Sequence, residues 1–108
     1  MRAGRLDRRI VIERATESRD DYGSPKETWA THVSRKAQVT PLRGRSFFAA
    51  QQVSSEAEMM FRIRWHSDIK ATDRIRYDGA LYEIVHPPLE VGRRRGLDIL
   101  ARLSRDTD

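Results

Sequence analysis

The chain has 108 residues, of which 38% are hydrophobic and 34% charged, and it carries a formal net charge of +5 at pH 7. This length predicts one domain, residues 1–108, built around a single core, and the lack of cysteine excludes disulfides and thiolate metal sites. No apolar run reaches the roughly 20 residues of a membrane helix, and the N-terminus lacks the apolar segment of a signal peptide. We therefore expect a soluble, intracellular protein with no membrane partner.

The basic excess consists mainly of arginine, which supplies 18 of the 21 basic residues. Arginine makes planar, bidentate contacts with carboxylates and phosphates, and it suits interfaces better than lysine does. Codon bias in a GC-rich genome explains the surplus equally well. A net charge this small, with many acids interspersed, permits contact with nucleic acid but does not require it.

The N-terminal part of the chain predicts a strand followed by a long loop. After a loose N-terminal arm at residues 1–6, Ile10 and Ile12 alternate with polar residues in a strand that begins near residue 8. Residues 16–27 have no apolar periodicity and contain a cluster of Asp, Gly, Ser and Pro, which is typical of a long flexible loop.

The next segment predicts a strand at about 35–40, closed by Pro41, and then the one helix, at 45–52. A helix of two turns is marginal alone, so this one needs packing to persist. Because Phe47 and Phe48 are adjacent, the helix buries both rings only if two of its sides are covered. Either both rings belong to the core, or one of them is kept for a partner chain.

Residues 59–85 contain three further runs with period-two alternation, and they dominate the sequence. Asp78 and Gly79 separate the second and third runs, and this dipeptide is typical of a tight hairpin turn. We predict a meander of three antiparallel strands here that supplies most of the core. Trp65 ends the apolar face of the first run and is predicted to be buried.

Pro87 and Pro88 end the third run, because neither can continue a hydrogen-bonded ladder. A last strand is predicted at about 97–102, and the polar tail at 104–108 should fray. Together these elements predict an all-β fold: a small antiparallel β-barrel of about six strands with one short helix and long flexible loops.

Residues with catalytic or metal-binding chemistry form no recognisable site. His32, His66 and His86 lie far apart, and none has a second ligand at metal-binding spacing. No serine lies in a G-x-S-x-G elbow, and the chain has neither a Walker loop nor a G-x-G-x-x-G motif. We expect no catalytic residue, no metal and no cofactor, and nothing in the sequence supports an enzyme.

Several arginines are predicted to share the sheet face opposite the core. Arg62 and Arg64 lie in the first run of the meander, and two more lie in the second. Arginines on adjacent strands repel one another unless acids or phosphates face them. The alternative is a solvated face balanced by Glu83 and Asp98. The candidate basic surface comprises Arg62, Arg64, Arg74, Arg76, Arg93, Arg94 and Arg95.

Six pieces of the sequence, taken in order, resemble one known family. They are G-R-L-D-R-R-I, D-Y-G-S-P-K-E-T-W, A-Q-V-T-P-L-R-G, F-F-A-A-Q-Q, F-R-I-R-W-H-S-D-I and D-R-I-R-Y-D-G-A-L-Y-E-I. Their order and spacing over about residues 4–103 resemble the tailed-phage head–tail joining proteins, the head-closure or stopper family.

This resemblance implies a structural protein of the virion. Its subunit is a small β-barrel that assembles with copies of itself as a ring, twelve-fold in such families, below the portal of a DNA-filled head. The implied neighbours are the portal or a connector adaptor, a tail-completion or tail-tube protein, and the packaged double-stranded DNA in the channel. The ring closes the head and helps to retain DNA at the head–tail junction, after its subunits are made in the host cytoplasm.

In such families a loop or a short helical segment rearranges on assembly, and the matching positions here are 16–27 and 43–57. The chain departs from the family at Arg45 and Ser46, where an acid often follows the glycine of the P-L-x-G piece. A neighbour contact that uses that acid is therefore in question. The candidate assembly interface comprises Arg43, Arg45, Phe47, Phe48, Gln51, Gln52 and Tyr22.

The main alternative is a small β-barrel that binds single-stranded nucleic acid. Such proteins stack bases on aromatic side chains along a basic groove. Here the aromatic residues of the meander fall on the predicted apolar faces, and the arginine face lacks aromatics. This pattern favours the structural role. An enzyme with an unfamiliar site is the third alternative.

Overall fold

A computed structural model describes residues 6–105, and this part of the chain forms seven β-strands and one α-helix. The elements, in chain order, are β1 (Arg8–Arg19), β2 (Pro25–Pro41), α1 (Gly44–Val53), β3 (Met59–Arg64), β4 (Arg74–Tyr77), β5 (Ala80–Ile84), β6 (Leu89–Val91) and β7 (Gly96–Leu103). The all-β class and the single short helix are confirmed. The expectations for residues 1–5 and 106–108 lie outside the described residues. No described helix has the length and apolar character needed to cross a bilayer.

Six of the strands close into a cylinder. Their order is β3-β2-β1-β4-β5-β7, and a further pairing of β7 with β3 completes the circle, with every pairing antiparallel. We call these six strands the closed sheet. β6 pairs with β7. It was not predicted, because its three residues directly follow two prolines and are too few to show alternation.

The core fills the inside of the closed sheet with alternate apolar side chains, since successive residues of a strand point to opposite faces. Rings from three strands meet there: Phe61 lies edge-on to Tyr77 and Tyr82, at centroid distances of 5.8 and 5.3 Å. The largest fully buried side chains are Ile10, Ile12, Phe61, Ile63, Ile75 and Ile99.

The predicted three-stranded meander is only partly correct. β4 and β5 form the predicted hairpin, and Asp78 and Gly79 adopt the positive φ values, 52° and 79°, that the tight turn requires. β3 does not pair with β4, however, because β3 lies between β2 and β7, and β4 lies between β1 and β5. Alternation shows which face of a strand is buried, but it does not show which strand is the neighbour.

Residues 16–27 belong to a β-hairpin, so the prediction of a long flexible loop is wrong. β1 and β2 stay paired from Thr16 opposite Thr28 to Arg19 opposite Pro25. Every side chain from 16 to 28 is exposed, and this is why the segment lacks the apolar periodicity on which the prediction relied. We call residues 15–29 the distal hairpin.

The distal hairpin extends beyond the closed sheet. Among the described residues, β4 pairs with β1 only at residues 11–13, and β3 pairs with β2 only at residues 37–41. Both outer edges of the distal hairpin are therefore unpaired. Exposed strand edges are surfaces on which another chain can dock.

Trp65 is predicted to be buried in the core, but the structure places it beyond the end of β3. Its side chain is only partly buried and packs at the margin of the core. The guanidinium of Arg94 lies over its ring, 5.2 Å from the centre. The alternation that begins at Met59 is interrupted because the strand ends at Arg64.

Phe61→Ala is expected to lower the free energy of unfolding by about 3–5 kcal/mol, the usual loss for a fully buried aromatic ring. Trp65→Ala is expected to lower it clearly less, because one side of this ring faces Arg94 and solvent. Urea unfolding of the two variants provides the measurement. Equal losses in both would show that Trp65 is a core residue after all.

Candidate assembly surfaces

Helix α1 lies against the outer face of the closed sheet. Ala50 is buried together with Leu42, Ala57 and Leu100 in a second apolar cluster, separate from the main core. Leu100 points outward because its neighbours in β7 point inward. The short helix, of 10 residues, thus obtains the packing that it needs, and Gln51 strengthens this packing by donating its side-chain amide to the carbonyl oxygen of Ala57, at 3.1 Å.

The surface of α1 exposes two phenylalanine rings to different extents, with Phe48 on the side away from the sheet and Phe47 nearer to the face of Ala50. Phe48 is 70% exposed and Phe47 is 37% exposed, and the rings contact each other edge to face at 5.8 Å. Val53, 45% exposed, ends the same helix. Of the two explanations for the adjacent phenylalanines, the structure excludes the one in which both are core. An exposed aromatic pair of this kind is typical of a protein–protein contact.

The residues of the candidate assembly interface do not form one surface. Those from Arg43 to Gln52 lie in or just before α1, which follows the C-terminal end of β2. Tyr22 is 94% exposed in the turn that precedes the N-terminal end of β2. A strand rises about 3.3 Å per residue, so the 17 residues of β2 separate the two places by roughly 50 Å along the strand.

The candidate basic surface is also divided, because β3 and β4 are not neighbours. Arg62 donates two hydrogen bonds to Asp98 on β7, at 2.6 and 2.8 Å. On the other side of the closed sheet, Arg74 and Arg76 both bind Glu13 of β1, at 2.7 and 3.1 Å. The sequence singled out Asp98 but missed Glu13, since only the β1–β4 pairing brings that carboxylate opposite the arginines.

Three of the four remaining arginines line a separate pocket, while Arg93 is exposed and is not part of its lining. Arg64, Arg94 and Arg95 line it together with Trp65. The backbone turns sharply here, with positive φ at Gly92 and Arg94, and the amide of Trp65 donates to the carbonyl oxygen of Arg95. No carboxylate among residues 6–105 lies within ion-pair distance of these three arginines. We call this site the Trp65 pocket.

A polar node that the sequence did not reveal lies at the base of the distal hairpin. Arg14 donates to both oxygens of Asp73 at 2.9 Å and to both oxygens of Asp68 at 2.9 and 3.1 Å. The hydrogen bonds raise the pKa of Arg14, with the bonds to Asp73 contributing most and those to Asp68 next. The hydrogen bonds from Arg14 in turn lower the pKa of Asp68. The node fastens the 65–73 connection to β1.

A bulge in β2 adds histidine to this node. Ile12 pairs with Val33 and Glu13 with Thr31, so His32 is the extra residue. Its Nε2 lies 2.7 Å from the carbonyl oxygen of Asp68. His66 is 5.9 Å away between ring centres, and its Nδ1 accepts the backbone N–H of Asp68. No group of three or more potential ligands suited to a metal ion occurs in the described part of the chain.

Comparison with known proteins identifies the family. A family model described as phage head completion protein matches residues 1–104. The chain belongs to the phage head completion protein family. The resemblance to the head-closure family that the sequence pieces indicated is thereby confirmed.

Individual relatives of this head completion protein agree with the family match. The chain is 28% identical over 107 residues to head completion protein gp7 of Enterobacteria phage HK97, covering 94% of this chain and 96% of that protein. The solution structure of protein SF1141 from Shigella flexneri 2a is similar with a TM-score of 0.80 and 31% identity, covering 99% and 100% of the two chains. A chain in the virion of a native gene transfer agent particle shares the fold, with a TM-score of 0.60 and 18% identity over 91% and 94%.

The stability of the head completion protein is expected to fall as the pH drops below about 6.5, the ordinary pKa of histidine. Burial, and then the charges of Arg35 and His32, lower the pKa of His66 in the folded protein. The unfolded chain therefore takes up a proton that the folded chain does not, so the free energy of unfolding decreases until the pH reaches the folded pKa.

Urea unfolding at several pH values between 5 and 7.5 measures this dependence. In His66→Gln the slope should be smaller than in the natural protein, because the titrating group is gone while the glutamine can still accept the Asp68 N–H. If both proteins lose stability equally on acidification, His66 is not the source of the effect.

Proposed function

We propose that this head completion protein is a structural component of the virion that joins the head to the tail as a ring of identical subunits, twelve-fold by resemblance to its family. The portal or a connector adaptor lies on one side of the ring, and a tail-completion or tail-tube protein lies on the other. The packaged double-stranded DNA ends in its channel and is retained there. The subunits are made in the host cytoplasm, and the proposal includes no catalytic step and no cofactor.

The exposed Phe47–Phe48 pair on α1 is the observation that best supports this proposal. The closed sheet has its own core, and Ala50 makes the contact of the helix with the sheet, so folding does not need the ring of Phe48 on the opposite side of the helix. Exposure of apolar rings to water is unfavourable, and burying them against another chain lowers the free energy. We assign Phe48, the more exposed ring, to the contact between subunits.

Binding of single-stranded nucleic acid is less well supported. Three of the aromatic rings that such a protein would use for base stacking, Phe61, Tyr77 and Tyr82, pack on one another inside the closed sheet. Three of the seven arginines of the candidate basic surface are occupied by carboxylates, as Arg62 is by Asp98. A salt titration of oligonucleotide binding distinguishes the two functions, because phosphate contacts weaken steeply with salt.

Phe48→Asp is expected to leave folding nearly intact and to abolish assembly. The ring is 70% exposed in the free subunit, so the substitution opens no cavity, but it places a charge in a contact that needs an apolar group. In complementation of a phage that lacks its own copy of this gene, we expect heads that package DNA and then lose it, or heads that acquire no tail. Particles are counted by electron microscopy.

Ala49→Asp is the matched control, since it adds the same charge to an exposed position one residue along the helix. This variant should give tailed particles, and thermal melting of both proteins reports whether each is folded. Normal tailed particles from a folded Phe48→Asp protein would exclude α1 from the assembly contact.

A further inference from the structure

The tip of the distal hairpin is a preformed acidic turn that carries an aromatic ring. Asp20 closes the turn, because its Oδ1 accepts the N–H groups of Tyr22 and Ser24, each at 2.9 Å. Arg19 donates to the carbonyl oxygen of Gly23 at 2.8 Å from the other side. The side chains of Asp21 and Tyr22 are left in solvent at the outermost point of the hairpin.

Charge is distributed unevenly between this hairpin and the rest of the molecule. Residues 15–29 contain four acids (Glu17, Asp20, Asp21 and Glu27) and two bases (Arg19 and Lys26), a net charge of −2. The whole chain has a net charge of +5, so the remainder has +7. An acidic projection from a basic body is complementary to a second copy of the same body.

The Trp65 pocket offers the chemistry that this tip requires. Arg64, Arg94 and Arg95 line it, and within residues 6–105 none of the three has a carboxylate partner. By contrast, three arginines of the closed sheet are paired with carboxylates: Arg62 with Asp98, and Arg74 and Arg76 with Glu13. Trp65, partly buried, provides a flat apolar surface beside the three positive charges. A carboxylate next to a tyrosine ring fits such a pocket.

The pocket is out of reach of the hairpin of its own subunit. Arg64 lies at the end of β3 that adjoins the middle of β2, since Ile63 pairs with Ala37. From there to Pro25 the strand continues for 12 residues, roughly 40 Å at about 3.3 Å per residue. The hairpin projects about 20 Å past its base at Ala15, and the body is about 25 Å across, so its tip reaches a subunit alongside.

We propose that the tip of the distal hairpin, Asp21 and Tyr22, docks in the Trp65 pocket of the next copy of this chain. Asp21 pairs with the pocket arginines, and the ring of Tyr22 packs on Trp65. This inference rests on the ring of the proposed function. The tip and the pocket are different surfaces of the subunit, so the contact is heterologous, and repeated heterologous contacts close into a ring when the rotation permits.

Charge reversal tests the docking in complementation of a phage that lacks its own copy. Asp21→Arg and Arg64→Asp should each reduce the yield of tailed particles by about ten-fold or more, because like charges across a contact are costly. The double variant should recover most of the yield. Lys70→Asp reverses the charge of another exposed base, and combining it with Asp21→Arg should give no recovery. Full yield from either single variant, or no recovery in the double variant, overturns the docking.

Cysteine cross-linking in assembled particles tests the contact directly, since the chain contains no cysteine. A protein with Asp21→Cys and Arg64→Cys should form disulfide-linked multimers within the particle under mild oxidation. A protein with Asp21→Cys and Lys70→Cys should remain monomeric on a denaturing gel. Equal cross-linking of both pairs, or none of the first pair, contradicts the proposal.

The same particles separate failure of the docking from failure of the proposed function. If the double-cysteine protein is present in tailed particles but does not cross-link, the structural role stands and the docking falls. If the natural protein, carried through the same purification, is absent from tailed particles, the proposed function falls, and the docking falls with it. If Arg64→Asp weakens binding to an oligonucleotide and Asp21→Arg does not restore particles, the pocket binds nucleic acid and the docking is wrong.

Discussion

The two longest strands, β1 and β2, run through both the closed sheet and the distal hairpin. The polar node around Arg14 lies at the boundary between these two parts. Up to Glu13, β1 is part of the closed sheet, and beyond residue 15 the two strands pair, within residues 6–105, only with each other. The ring of Trp29, at the base of the hairpin, still lies 4.1 Å from the guanidinium of Arg74 in β4. Arg14 holds Asp68 and Asp73 of the 65–73 connection at this boundary, and the bulge at His32 turns the ring of that histidine toward the same connection. A strand pair without such an attachment would leave the projecting half free to pivot.

Six arginines of the candidate basic surface fall into two groups with different roles. Arg62, Arg74 and Arg76 make ion pairs across neighbouring strands with Asp98 and Glu13, so they strengthen the sheet and present little free charge. The arginines of the Trp65 pocket stay without carboxylate partners in residues 6–105, and Arg64 also borders a second basic pocket, with Arg35 and Lys36. The net charge of +5 therefore understates how concentrated the available positive charge is.

The sequence predicted correctly the turns, strand ends and helix that depend on a few consecutive residues. The Asp78–Gly79 turn, the end of β2 at Pro41 and the helix near 45–52 are all present, because turn and helix preferences act over a few residues. The residues of the candidate interface in α1 are neighbours in sequence and remain neighbours in space. Their exposure was left open, because it depends on how the helix packs against Leu100, which is distant in sequence.

By itself, the sequence determined the all-β class, the buried face of most strands, the short helix and the family, since these follow from periodicity, turn chemistry and the order of short motifs. Only the tertiary structure decided which strands are neighbours, and with them the partners of Glu13 and Arg14. It also showed that Trp65 borders a basic pocket and that residues 16–27 form a hairpin. Strand neighbours and the basic pocket depend on contacts between residues far apart in the chain, which local patterns do not show. The hairpin is solvated on both faces, so its strands have no apolar alternation to reveal them.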